Sequence, residues 1–451
     1  MKKLYVGAGL LASLLTSSAM ANDLFFQMNP NLAGSGDVRQ AFIFGAANST
    51  GSVTGGSGFN QAFDLGAEGF TVVTLPLIDQ LGSGVIQNLG FKISSDSNLS
   101  AYYLSRRDAT TDMAYVIDGS KLGTEYVVAG YQNIFEDQMS VQATADNTVV
   151  TFTPKGAAAF DVTLDAGETY MYTANSNLTG SRITSSAPVA VFSGNRCTNV
   201  PTGVGACDHL VEQMPSIDSL SSTYLLSRTP RTGSQGDVFR VVATADNTEV
   251  EVNGVVVATL NAGDYYEGRV AASGSSVEAS AKVLVAQYLV GQGQAGTNTD
   301  PAMTIVPGSD QWLKSYVFAT PSGVADFPTD FISVVIKTSD LGTLTVDGAL
   351  ADAALFSALG STGYSFGNID VSASVGPFDI TAVSEFQLLL TGYDSFDSYF
   401  TYGGAAFSPG ASPPPPPPGG VPEPTTWAMM IAGLALVGAS MRRRKVTVSF
   451  A

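Results

Sequence analysis

Between Asn22 and Ser408 the apolar residues fall in short runs, and none has helical spacing. Two kinds of run recur. In "EVEVNGVVVATL" (Glu249 to Leu260) apolar and polar residues alternate around Asn253-Gly254, a two-residue hairpin signal. In "PVAVFSG" (Pro188 to Gly194) and "KVLVAQYLVG" (Lys282 to Gly291) the apolar residues are nearly continuous, as in strands covered on both faces. Ala187-Pro188 and Ala281-Lys282 read as strand starts, where a proline is tolerated. Asp146-Asn147 and Asp246-Asn247 read as turns, because short polar side chains tolerate left-handed backbone. The pattern predicts an all-β fold.

The runs repeat. "VQATADNTVV" (Val141 to Val150) returns as "VVATADNTEV" (Val241 to Val250), and "LDAGETY" (Leu164 to Tyr170) as "LNAGDYY" (Leu260 to Tyr266). "RITSSAPVAVFSGN" (Arg182 to Asn195) is matched by "VEASAKVLVAQYLVG" (Val277 to Gly291), and "DHLVEQMP" (Asp208 to Pro215) by "DPAMTIVP" (Asp300 to Pro307). Tyr224 and Tyr316 follow those prolines at equal distance. Weaker copies flank them, "FKISSDSNLSAYYLS" (Phe91 to Ser105) before and "ITAVSEFQLLLTGY" (Ile380 to Tyr393) after. The period is about 90–100 residues, which predicts tandem units of six or seven strands. Each unit reads as β-sandwich-like; a propeller-like ring is the alternative.

Composition narrows the setting. Only 13% of the residues are charged, about half of the ~25% usual in soluble proteins. The net charge is −18. Six of the 21 basic residues (Lys2, Lys3, Arg442, Arg443, Arg444, Lys445) sit at the two ends, so the body is more acidic still. Nucleic acid, which requires basic patches, is a poor partner. The N-terminus has a basic pair, an apolar stretch from Leu4 to Leu15, and a small-x-small cleavage site at Ala19 and Ala21, the three parts of a secretory signal peptide over residues 1–21. In an exported chain, the two cysteines Cys197 and Cys207 are expected to form a disulfide.

Candidate chemistry is sparse. The one histidine, His209, stands between Asp208 and Glu212 in a spacing that would converge on a metal only if the segment were helical. Asp112, Asp208 and Asp300 hold similar places ahead of Tyr126, Tyr224 and Tyr316 and would either cap turns or bind Ca²⁺. Gly363-Tyr364-Ser365-Phe366-Gly367 matches a nucleophile elbow but is followed by strand-like sequence. Tyr102, Tyr103, Tyr131, Tyr265, Tyr266, Tyr399 and Tyr402 either stack on glycans or pack as strand aromatics. No catalytic residue and no cofactor is assigned. An extracellular hydrolase acting on polysaccharide or ester substrates is the alternative to a binding module.

"APVAVFSGNRCTNVPTGVGACDHLVEQMP", "GDVFRVVATADNTEVEVNG" and "VLVAQY" before "DPAMTIVP" resemble the N-terminal domain of the IgGFc-binding protein, a family named for a mucosal protein that binds the Fc part of immunoglobulin G. The resemblance covers about residues 66–407 and is densest from Arg182 to Trp312. It implies an extracellular, non-enzymatic recognition or scaffold module over residues 22–407, without mapping any Fc-contact residue.

Behind the body, residues 408–420 are a Pro/Gly-rich linker with six consecutive prolines. Trp427 to Met441 is an uncharged run, short for a bilayer crossing of ~30 Å when helical, and Arg442, Arg443, Arg444 and Lys445 mark its cytoplasmic side. Together with Val421, Pro422, Glu423 and Pro424 this arrangement, residues 421–445, resembles the PEP-CTERM sorting signal. The resemblance implies export through the Sec translocon, a transient membrane anchor, cleavage by an exosortase, and delivery to a cell surface or extracellular matrix where exopolysaccharide or another surface protein is the partner. One departure is the "VTVSFA" that follows Lys445.

Overall fold

The computed structural model describes residues 23–407, apart from 33–35, 79, 81 and 375. The expected signal cleavage at Ala19 and Ala21, the motif Val421 to Pro424, the hydrophobic helix 427–441 and the basic cluster Arg442 to Lys445 lie outside the described residues. Among the described residues no helix is long and apolar enough to cross a membrane.

The body is all β, in four units of seven or eight strands spanning residues 24–116, 123–214, 221–305 and 313–402. The repeat read from the sequence is the repeat seen, with the two weaker copies as the first and last units. Each unit is organised on one long strand, here called its spine: Arg182–Thr198, Ser275–Tyr288 and Phe378–Asp394 in the last three units, and the pair Phe91–Ser95 and Leu99–Arg107 in the first. One half of a spine pairs with two outer strands and the other half with two different ones, so the sheet curls. In the second unit the first half lies between Gly123–Val127 and Thr148–Thr153; the second half lies between Asp137–Ala143 and Asp208–Met214. The apolar runs occupy the second halves. Val189 to Phe192 and Val283 to Ala286 are fully buried, as continuous apolar sequence requires.

Local turn chemistry holds where it was expected. Asn147 and Asn247 both adopt φ of 56°, and Asn253-Gly254, at 52° and 79°, turns the hairpin between Val252 and Val255. Pro188 differs from expectation. It lies in the interior of a 17-residue strand, where pairing with Gly123–Val127 slips between Thr184 and Val189. The slip leaves that stretch without a ladder partner on this side, so the missing N–H costs nothing.

The same slip recurs on the spines of the third and fourth units, and a tyrosine pins it in each of the three. The Tyr126 hydroxyl accepts from Gly123 N at 2.7 Å and donates to Val189 O at 2.6 Å. Tyr224 does the same with Ser221 N and Val283 O, and Tyr316 with Leu313 N and Phe386 O. The equal spacing of these tyrosines in the sequence thus marks a structural device. Replacing Tyr224 with Phe leaves the Ser221 N–H and Val283 C=O buried without that partner, and should lower the unfolding free energy in urea by about 1–2 kcal/mol. A change below about 0.3 kcal/mol would show that the hydroxyl carries no weight.

Candidate functional site: the carboxylates on the ring axis

The last strand of each unit is its inner strand: Thr110–Val116, Asp208–Met214, Met303–Ile305 and Asp397–Tyr402. Each is laddered only to its own spine. The first packs against the second and the fourth, and the third packs against the same two, so the four units close into a ring. Of the two arrangements the sequence left open, the units therefore take the ring, with each unit a curled sheet.

The inner strands run in the same direction, which leaves Thr111, Val211, Met303 and Phe400 at one level with their N–H groups away from their own ladders. Asp112 answers three of the four. Its Oδ2 accepts from Val211 N at 3.1 Å and Met303 N at 3.0 Å, and its Oδ1 from Phe400 N at 3.2 Å and Met113 N at 2.9 Å. The fourth, Thr111 N, donates to Asp208 Oδ1 at 2.7 Å. Asp112 is wholly buried. Burial raises its pKa well above the ordinary carboxylate value, and the four N–H donors work against that rise. Beside it, Glu212 accepts from Gln213 N and, at 3.4 Å, from the Thr304 hydroxyl; its pKa is raised by burial and then by the Asp112 charge.

This geometry corrects the expected equivalence of Asp112, Asp208 and Asp300. Asp208 and Asp300 do correspond, and their counterpart in the fourth unit is Asp397, at the start of its inner strand. In the first unit that level falls on Asp108, exposed at the tip of the hairpin joining Arg107 to Thr110. Asp112 lies one level deeper, with Glu212, Thr304 and Thr401. Counting back from the tyrosines misled because the stretch from inner strand to tyrosine is two residues longer in the first unit: Thr111 precedes Tyr126 by 15 residues, whereas Val211 and Met303 precede Tyr224 and Tyr316 by 13.

The other candidates resolve plainly. Asp208, His209 and Glu212 lie on a strand, so His209 and Glu212 face opposite sides and do not converge. The His209 Nδ1 lies 2.9 Å from Asn195 O, and burial pulls its pKa down to about 3, so the ring is neutral. Among the described residues no three His, Cys, Asp or Glu side chains are grouped to hold a metal ion. Ser365 is on a strand, its hydroxyl 2.9 Å from that of Thr338, with no helix behind it. The tyrosine stacking surface is not there: Tyr102, Tyr103, Tyr131, Tyr399 and Tyr402 are buried, and only Tyr265 and Tyr266 are half-buried. Instead two of these tyrosines join units: the Tyr102 hydroxyl donates to Gly403 O at 2.7 Å and the Tyr131 hydroxyl to Glu267 Oε1 at 3.4 Å, while the Tyr399 hydroxyl donates to Asp330 Oδ1 at 2.8 Å within the fourth unit.

Three of the four seams carry an arginine laid on a neighbour's aromatic ring, a contact the sequence reading missed. Arg240 sits 4.0 Å over Tyr131 and pairs with Glu267 at 2.8 Å; Arg231 sits 4.8 Å over Tyr393; Arg106 sits 4.4 Å over Phe327. The seam between the first two units uses amides, with Gln138 donating to Pro30 O and Gln142 to Phe91 O.

The ring has two unlike faces. Where the inner strands end, Asp23 bonds through its carbonyl to Gly119 N, and Ala406 N bonds to Gln311 O, so both ends of the described chain leave on that side. Where the inner strands begin lie the Cys197–Cys207 disulfide loop and the long loops. Ile134, Val324 and Phe396 are 47%, 81% and 53% exposed there. Asn133 ties its loop to Asn199 of the disulfide loop, and Arg106 ties Asp326 to Asp394.

Substituting Asp112 by Ala removes the acceptor of four buried backbone N–H groups at once, three of them from the other units. The unfolding free energy should fall by at least about 3 kcal/mol, against no more than about 0.5 for Asp218→Asn on the surface. Equal effects in chemical denaturation would remove Asp112 from its central place.

A family model described as IgGFc binding protein matches residues 112–392, and one described as PEP-CTERM protein-sorting motif matches residues 420–445. The IgGFc-binding protein of Homo sapiens is 26% identical over 344 residues, which is 72% of this chain and 6% of that protein. The chain thus spans a small part of the relative it matches. No solved structure matches. With its first match covering more than half of the residues, from the axial Asp112 to Gly392 of the last spine, the chain belongs to the IgGFc-binding protein family.

Proposed function

We propose that this is an exported cell-surface or matrix protein whose ring is a non-enzymatic binding or scaffold module. The observation that carries the reading is the separation of the two faces. The chain continues toward the sorting motif from the face where the inner strands end. The disulfide loop and the exposed Ile134, Val324 and Phe396 stand on the other. Loops fixed on a rigid scaffold and turned away from the attachment are where binding residues collect. The Sec translocon and an exosortase act on the chain itself, the exosortase at Val421 to Pro424; the tail holds the protein at the membrane until it is cut and released to the surface or matrix.

The partner proposed is exopolysaccharide of the surrounding matrix. An acidic body, with a net charge of −18 over the chain, favours neutral or basic glycans over acidic ones. Val324→Asp together with Phe396→Asp should cut retention on exopolysaccharide extracted from the producing cells at least tenfold, while Leu350→Asp, 70% exposed elsewhere, should not. The substitutions spare the fold, since Phe396 has φ of 58°, which Asp accepts more readily than Phe. Retention unchanged by the double variant would refute this face. Replacing Pro422, Glu423 and Pro424 with Ala should leave the protein uncut in the membrane fraction; normal mass and release would refute exosortase processing.

A further inference from the structure

At the level where the inner strands begin, Asp208, Asp300 and Asp397 come from three different units and are 0%, 2% and 1% exposed. Asp208 Oδ2, Asp300 Oδ1 and Asp397 Oδ1 have no hydrogen-bond partner. Across the seam between the last and first units, Arg106 Nε lies 3.3 Å from Asp397 Oδ2, and Arg106 also reaches Asp394 at 3.2 Å. One guanidinium is thus divided between two carboxylates, with two further carboxyls close by. We propose that Asp208, Asp300 and Asp397 are a proton-held latch on the ring: protonated, they are neutral buried groups that let the four inner strands close, and ionised, they repel and loosen the closure.

The surroundings support this. Burial, then the Asp397 charge, raises Asp300 to about 7. Burial raises Asp397 to about 7 against the pull of Arg106 and the Thr111 hydroxyl, with Asp394 adding to the rise. Asp208 moves the same way, through burial first and then Asp397 and Asp300. The other charged or titratable groups near the axis are Asp112 and Glu212, one level deeper, and His209, next to Asp208 and biased by Arg39 and Arg107.

The sign follows from linkage. Each latch carboxyl has an unfolded pKa of about 3.9 and a higher folded value, so the folded state binds more protons between the two. That stabilisation is complete at low pH and, for Asp300 and Asp397, is lost as pH rises through about 7, with Asp208 contributing in the same sense. His209, buried neutral, acts in the opposite sense, but only below about pH 6.5. Asp330, raised to about 7 by burial, adds to the same slope from outside the latch.

The test is the melting temperature of the full-length protein from pH 6.5 to 8.5 in the presence of EDTA, which removes divalent cations as an alternative counter-charge. The melting temperature should fall by roughly 5 °C across this range. Asp300→Asn with Asp397→Asn, which mimics the protonated pair, should reduce the fall by at least half while leaving the melting temperature at pH 6.5 within a few degrees of the parent. Should the double variant not fold, Asp300→Asn alone should still flatten the slope measurably. A melting temperature that is level or rises with pH, or a fall that the Asn variants leave intact, would overturn the latch.

Discussion

A single carboxylate completes the ring. Four inner strands run side by side without a ladder between them, each laddered only to its own spine. Closing them about one axis strands four backbone N–H groups in the interior, and an unpaired buried N–H costs on the order of 1–3 kcal/mol. Asp112, held by the first unit, takes the N–H of each of the other three. Asp208 takes the first unit's own. Two side chains thus replace a ladder that the ring geometry does not permit. The charge is placed where four N–H dipoles converge on it, which is the condition under which a buried carboxylate is tolerated.

The seams repeat the same logic further out. Arg106, Arg231 and Arg240 each lie across an aromatic ring of the neighbouring unit and donate to oxygens beyond it, Arg106 to Asp326 O, Arg231 to the Thr329 hydroxyl and Arg240 to Gly130 O. The first and last units are joined only by such non-covalent contacts, with Arg106, Phe327, Asp394 and Asp397 at the place where the two ends of the ring meet. At that seam lies Asp397, whose carboxyl burial raises to about 7 against the pull of Arg106. The seam also lies at the end of the axis that carries the exposed Val324 and Phe396, so the state of the latch and the form of the outward face share residues.

The local structure was legible in the sequence, and the assembly was not. Asn253-Gly254 specified its hairpin and Asn147 and Asn247 their left-handed turns, because these depend on one residue's backbone freedom. The strand class followed from apolar runs whose two faces are both covered. The closure of the units was open to reading either way, since it rests on contacts between residues as distant as Asp112 and Phe400. The role of Asp112 was misread for a related reason. The stretch from Thr111 to Tyr126 is two residues longer than those from Val211 to Tyr224 and from Met303 to Tyr316, so counting back from the tyrosines did not reach equal positions. Pro188 was placed at a strand end because nothing in the local sequence announces the slip that Tyr126 pins. Five of the seven tyrosines that resembled a binding surface are interior, four of them on the spine and inner strands of the first and last units.

Native-state hydrogen exchange at Thr111, Val211, Met303 and Phe400 tests the closed ring most directly. If Asp112 and Asp208 hold the four inner strands as one unit, these amides exchange only through global unfolding and share one free energy of opening, although they belong to four different repeats. If instead they exchange at separate, lower free energies, each following its own repeat, the units are independent modules and the axial carboxylates do not join them.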